Sequence, residues 1–400
     1  MLRFRFSSVP APARMLAFAC VAALGAASCR GPEPDFYLQR VVAIAGDRPA
    51  VAIQWDSSEL RHPRVDLFTF DGTNLVADYG MVLPQLRPVN VEAATNSPSR
   101  VIVQRDAQGA LFATGPDGYV LSSAFALWGL APIRGGFVGQ SVEPGPADAP
   151  HLSIPLLVSV DERARERWRA ASQPGRVFCS TQSILTPDGS RAAVIVSDAQ
   201  RSCVGETTLR VFDDQGAMIA EHRRATLANL GALSPSRAAV RDDLATLTIA
   251  NDPSSGRAQG AAVLHRPGVE TGTRLDFGDF VPALVAPVGG ARWLLVGPTE
   301  TRVERSTGRS TYTTIERTYD AWIIDDAGAR SWSAALARTT TPTVNVAATS
   351  RGTLLVASSA TNGRPRWIVF APDGRVMKDE QLDLEARARM VQPPLEASSP

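Results

Sequence analysis

The sequence predicts an all-β fold built from repeated four-stranded units, and three observations predict it. The first is a recurring turn. A short apolar stretch runs into an Asp/Gly-type turn at Gly72, Gly118, Asp161, Gly216, Gly268, Gly328 and Gly374, a spacing of about 50 residues. The second is that other strand-length apolar stretches answer these turns in phase. The third is composition: 31 Gly, 29 Pro and 44% hydrophobic residues suit short strands joined by turns better than helices. Self-similarity at this period is the signature of a β-propeller. The turns predict seven blades, with six or eight left open because the third and fifth are the least regular.

At the N-terminus, Arg3, Arg5 and Arg14 precede an apolar run from Met15 to Ala27 that ends in small residues before Cys29. This is the layout of a secretory signal over residues 1–28, too short to span a bilayer, and it predicts export. Residues 29–35 read as a tether, 36–385 as the propeller and 386–400 as a tail.

The last blade shows the unit most plainly. Val344 to Ala347 is its inner strand, Thr353 to Ser358 its second, Arg366 to Ala371 its third and Arg375 to Leu382 its fourth. Pro372-Asp373-Gly374 joins the last two, because Asp hydrogen-bonds nearby backbone in a turn and Gly accepts positive φ. Third strands recur at Val65 to Phe70, Ala110 to Thr114, Ser153 to Val160, Leu209 to Phe212, Ala261 to His265 and Ala321 to Ile324. Second strands recur at Val51 to Trp55, Arg100 to Gln104, Gly136 to Val142, Ala192 to Ser197, Ala245 to Ala250 and Trp293 to Val296. The charged run Asp161 to Ala171, with Trp168, is the one stretch that reads as a short helix. In the sixth blade, Thr299 to Tyr319 alternates Thr, Val, Ile and Tyr with Arg and Glu and turns near Thr307-Gly308, which predicts a long projecting hairpin. Its Arg302, Arg305, Arg309, Tyr312, Arg317 and Tyr319 are the residue types that dominate interface hot spots, which makes them the partner-binding candidates.

Cys20 falls in the signal and Cys29 at its end, so Cys179 and Cys203 remain as an even pair in an exported domain. A disulfide between them follows, with two free thiols as the alternative. The formal net charge of +1, with acidic residues interspersed and Lys378 the single lysine, excludes a basic nucleic-acid surface.

Chemistry-bearing motifs are missing. There is no GxxxxGK[ST], HExxH, CxxC or GxSxG, and Gly139-Gln140-Ser141-Val142-Glu143 lacks the closing Gly of the last. His62, His151, His222 and His265 lie far apart in the sequence. Asp71, Asp117, Asp188, Asp214, Asp326 and Asp373 are explained as turn formers rather than as paired carboxylates. The expectation is a chain without catalytic, cofactor or metal residues.

Several short motifs resemble known families. Ala26-Ala27-Ser28-Cys29 resembles the bacterial lipobox, with Ala26 where Leu is usual. The resemblance implies acylation of Cys29 and a membrane attachment through it. The alternative is ordinary cleavage at the same small residues, giving a soluble periplasmic or secreted protein. Arg30, by resemblance to enterobacterial lipoproteins, implies the outer membrane. Leu185-Thr186-Pro187-Asp188-Gly189-Ser190-Arg191-Ala192 resembles the strand junction of TolB-like propellers, and Leu233-Ser234-Pro235-Ser236 is a degraded echo of it. Trp322 to Ser333, with Asp325, Gly328 and Trp332, is similar to the quinoprotein-type repeat. Together these imply a monomeric, non-catalytic propeller scaffold that binds envelope proteins. The competing expectation is a propeller enzyme or carbohydrate binder at the central channel, which polar residues converging on one channel mouth would favour.

Overall fold

Period-two alternation governs which side of each strand is buried, and the computed structural model of the chain shows the outcome as a series of antiparallel four-stranded meanders. It describes strands between Phe36 and Gln381, with side chains from Leu127 onward; residues 1–35 and 382–400 and several connecting segments lie outside the described residues. Strand pairing yields sheets over 36–82, 90–126, 128–171, 177–224, 238–278, 284–338 and 343–381, called the first to seventh in chain order. The first and second are described by their backbone, and the third to seventh with their side chains. The all-β propeller arrangement is thus present, with five such blades where the turn spacing predicts seven.

These five sheets stack face to face through four apolar interfaces. The second strand of the fourth sheet, Ala192–Ser197, is buried along its whole length and shows how. Its Ala192, Val194 and Val196 pack on Ala131, Val138 and Leu157 of the third sheet. Its Ala193 and Ile195 pack on Ala238 and Val240 of the fifth. A strand buried on both faces must be apolar throughout, so this run does not alternate with polar residues as a half-exposed strand would. The first strands of neighbouring sheets lie side by side, as Ala238–Val240 does with Leu284–Val288, and so line the axis.

The described elements match the predicted strands closely, with one exception. Residues 166–171 form the outer strand Glu166–Ala171 of the third sheet rather than a helix. Trp168 and Ala170 alternate with exposed Glu166, Arg167 and Arg169, and the inward pair packs against the fourth sheet. Tertiary pairing overrides the helix propensity of a charged run. The first strand of the fourth sheet is split into Val177–Phe178 and Ile184–Leu185, both paired with Ala192–Ser197. Cys179, which follows the first piece, is buried and disulfide-bonded, and Cys203 lies outside the described residues. Among the described residues no helix is long and apolar enough to cross a membrane.

Candidate functional site at the channel mouth

The hairpin turns that join first to second strands gather at one end of the axis. There they are tied from blade to blade by hydrogen bonds. Arg134 N–H of the third sheet donates to the Gly189 carbonyl of the fourth (2.7 Å). Asp188 N–H donates to Oδ1 of Asp242 in the fifth (3.1 Å), and Arg191 reaches the Asp242 carbonyl. Thr353 Oγ1 of the seventh sheet donates to the Pro287 carbonyl of the sixth (3.1 Å). The approach is closest at Gly289, where a Cβ would stand 1.4 Å from the Pro372 carbonyl oxygen, so no other residue fits.

Between these turns lies a cavity of about 310 Å³ lined by Arg241, Asp242, Asp243, Gly289, Thr349 and Thr353, among others. Arg241 is its anchor. The residue is 8% exposed and its guanidinium is bonded to two carboxylates. Its Nε and Nη2 donate to Asp243 (3.1 and 2.7 Å), and Nη1 and Nη2 donate to Asp326 (2.7 and 3.2 Å). It lies 4.9 Å from the centre of the Trp293 ring, whose Nε1–H donates to Asp326 Oδ1 at 2.8 Å. Buried charge is tolerated only when paired and hydrogen-bonded, and each polar atom here meets that condition. Burial opposes the Arg241 charge, but the two carboxylates outweigh it and raise its pKa. Burial likewise opposes ionisation of Asp243, and Arg241 outweighs it to hold the carboxyl below the ordinary range.

Asp242 and Asp188 are driven apart. The protein packed behind Asp242, and then the negative charge of Asp188, push the Asp242 carboxyl up, although its side chain reaches solvent. Burial also disfavours the Asp188 charge, but Ser190 and Thr186 donate to it (2.6 Å each) and hold its pKa below the usual value.

Of the Asp residues read as turn formers, Asp188 and Asp373 accept backbone N–H groups two residues on, as expected. At two turns it is the preceding residue that forms the turn: Asp213 accepts from Gln215 and Ala217, and Asp325 from Ala327 and Ala329. That frees the Asp326 side chain to bind Arg241, while the backbone carbonyl of Asp214 accepts from Trp168 Nε1 at 2.8 Å. The sequence reading missed Arg241-Asp242-Asp243 altogether. Its signal was three charged residues in succession between two apolar strands. Among the described residues, no three His, Cys, Asp or Glu side chains gather as a metal set.

The hairpin candidates sit as predicted on a projecting ribbon, Arg292–Ser306 paired with Thr311–Asp325. They do not form one surface. Register puts Arg305 and Tyr312 on one face and Arg302, Ile315 and Arg317 on the other, with Tyr319 near the base opposite Pro298. Arg305 is bonded to Glu316 (2.6 Å) and Arg317 to Glu300 (2.8 Å). Ile315 is 57% exposed and Tyr312 45%. Arg309 and Cys29 lie outside the described residues.

No protein-family model matches the chain, and no curated protein matches it. The TolB-like and quinoprotein-type resemblances therefore stay at the level of single blade motifs. Solved structures do match. A prolyl endopeptidase structure shares 10% identity and a TM-score of 0.51, covering 92% of this chain and 54% of its own. Prolyl oligopeptidase B from Galerina marginata follows at 10% and 0.48, over 92% and 54%. A puromycin hydrolase gives 16% and 0.46, over 88% and 55%. The chain spans about half the length of these structures, and at such identities the likeness is one of fold. These matching chains are enzymes, a prolyl endopeptidase and a puromycin hydrolase among them, which runs against the expectation of a protein without catalysis.

Proposed function

We propose that the protein is a propeller-type enzyme or enzyme module that handles its substrate at the channel mouth, and that the substrate is a peptide bearing a free amine. The observation that carries this reading is the convergence of Arg241, Asp242 and Asp243 from one hairpin with Thr349, Ser350 and Thr353 from another around a single cavity. Arg241 is already saturated by Asp243 and Asp326, so the polarity left to a ligand is that of carboxylates and hydroxyls. Such a lining suits an ammonium group better than an anion. Asp242, exposed at the mouth and not paired to Arg241, is the carboxylate this lining offers such a group. The similarity in fold to a prolyl endopeptidase supports the peptide class.

The rest of the reading goes with this. The first and second sheets complete a seven-bladed ring. The chain is exported, held in the envelope through an acylated Cys29, stapled by Cys179–Cys203, and meets envelope partners through the sixth-sheet hairpin. Fatty-acid labelling that Cys29→Ala abolishes tests the anchor, and a Cys179–Cys203 peptide in the non-reduced digest tests the staple.

The channel-mouth reading is tested by titrating the protein with a tripeptide and its N-acetylated form, while amine release is followed over a peptide library. Tighter binding of the free-amine form, at least tenfold and abolished in Asp242→Asn, is the expected result. Equal binding of both forms, or binding unchanged in the variant, would reject it.

A further inference from the structure

The interface between the fourth and fifth sheets brings two histidine rings together. On the fourth sheet, His222 of the outer strand Met218–Arg224 pairs with Leu209, which packs against Ala238 and Val240 of the fifth sheet. His222 therefore faces the fifth sheet. On that sheet Val240 pairs with Thr246, and Thr246 pairs with His265, so both face back toward the fourth. The two imidazole rings meet across the seam with centroids 5.6 Å apart and planes inclined at 30°. Four hundred residues hold only four histidines, and the fold brings together two that are separated by most of a blade.

Among the described residues, three atoms along this seam have no hydrogen-bond partner: Nε2 of His222 and the hydroxyls of Thr246 and Thr248. Both threonines are 1% exposed. Buried polar groups are nearly always satisfied, so such a row points to something bound between the blades. His265 is held from behind by Gly272, where a Cβ would come within 2.9 Å of its Nε2. The neighbouring ion pairs do not compete. Arg210 and Glu221 alternate with Leu209 and His222 onto the opposite face, where Arg210 reaches Ser172 of the third sheet. Arg274, which shares the face of His265, is held by Asp276 at 2.8 Å.

We propose that His222 and His265 form a site for a divalent first-row transition-metal ion, with one ligand from each of two adjacent blades, water in the remaining positions, and the Thr246 hydroxyl bonded to that water. Neutral imidazole suits Zn²⁺, Cu²⁺ and Ni²⁺. With metal–nitrogen bonds of about 2.1 Å and a ring nitrogen about 1.1 Å from its ring centre, two imidazoles on one tetrahedral ion have centroids about 5 Å apart. The observed separation needs only a small closure to reach this. Two protein ligands make a site that exchanges its ion, and occupancy would clamp the two blades together.

The test uses the mature protein without a histidine tag, titrated with zinc chloride alone and followed by calorimetry and by thermal unfolding. One equivalent should bind, the melting temperature should rise with zinc and fall back with a chelator, and His222→Ala should lose at least tenfold in affinity. His222 stands at the half-buried rim, so this variant should fold. Its unfolding curve without metal checks that, and Thr246→Val provides a second variant, expected to weaken binding several-fold. Cu²⁺ added to the wild type should show the spectroscopic signature of nitrogen ligands. Absence of binding, binding unchanged in both variants, or a melting temperature lowered by zinc would each overturn the assignment.

Discussion

The fifth sheet has two faces of opposite character. Toward the sixth sheet it presents Leu247, Ile249, Ala262, Leu264, Leu275 and Phe277, which close on Phe280, Val285, Trp293, Leu295 and Ile324. Phe280 stacks on Trp322 at 3.9 Å, and the buried Arg241 there is paired with Asp326. Toward the fourth sheet the same strands present Ala238, Val240, Thr246, Thr248 and His265, which are smaller and partly polar. The same backbone therefore makes one sealed interface and one with unsatisfied groups. Tight packing is enough to join blades, so the polar seam has to be explained by something other than stability.

The sealed face should be the costlier to break. Trp293→Ala removes a fully buried indole and a hydrogen bond to Asp326, and should cost about 3–5 kcal/mol in denaturant unfolding. A loss below about 1 kcal/mol would show that this interface does not hold the blades. Next is Arg241→Leu, which strips Asp326 of its closer ion pair and leaves Arg266 at 3.8 Å. Because Asp243 is 58% exposed, the cost should be about 2 kcal/mol, below the 3–5 typical of a fully buried pair. No change would mean that the cluster is free to serve a ligand alone.

The polar seam should respond in the opposite sense. Thr246→Val replaces an unpartnered buried hydroxyl by a methyl group, and without metal it should be neutral or stabilising by about 1 kcal/mol. Destabilisation would show that the hydroxyl has a water partner worth keeping. The pH response has a definite sign. The pKa of His222 is lower in the folded protein than its ordinary 6.5, because burial disfavours the charged ring. The unfolded chain therefore takes up its proton first, so stability is full above pH 6.5 and falls as pH drops from there toward the folded value. Melting curves between pH 8 and 5 should show this slope, reduced in His222→Ala. The smallest effect belongs to the sixth-sheet hairpin, which projects from the packed blades. Replacing 304–316 by Asn-Gly should shift stability by no more than about 0.5 kcal/mol. A larger loss would make the ribbon part of the core.

Much of this molecule could be read from local sequence. Ala110–Thr114 and Thr353–Ser358 stand as strands where apolar alternation placed them, and the Asp/Gly turns form because Asp side chains cap nearby backbone N–H groups. These features depend on interactions among residues a few positions apart, which a single sequence displays. The ribbon of the sixth sheet was legible for the same reason, since its two strands are joined by their own turn. Only the tertiary structure decided the rest. Residues 166–171 became a strand because an unpaired edge of the third sheet was available to them. Asp326 stands 85 positions from Arg241, and His222 stands 43 from His265, yet each pair meets because neighbouring blades press together elements that lie far apart in the chain. The partner of such a residue is set by how sheets stack, and nothing within reach of its own neighbours in the chain carries that information.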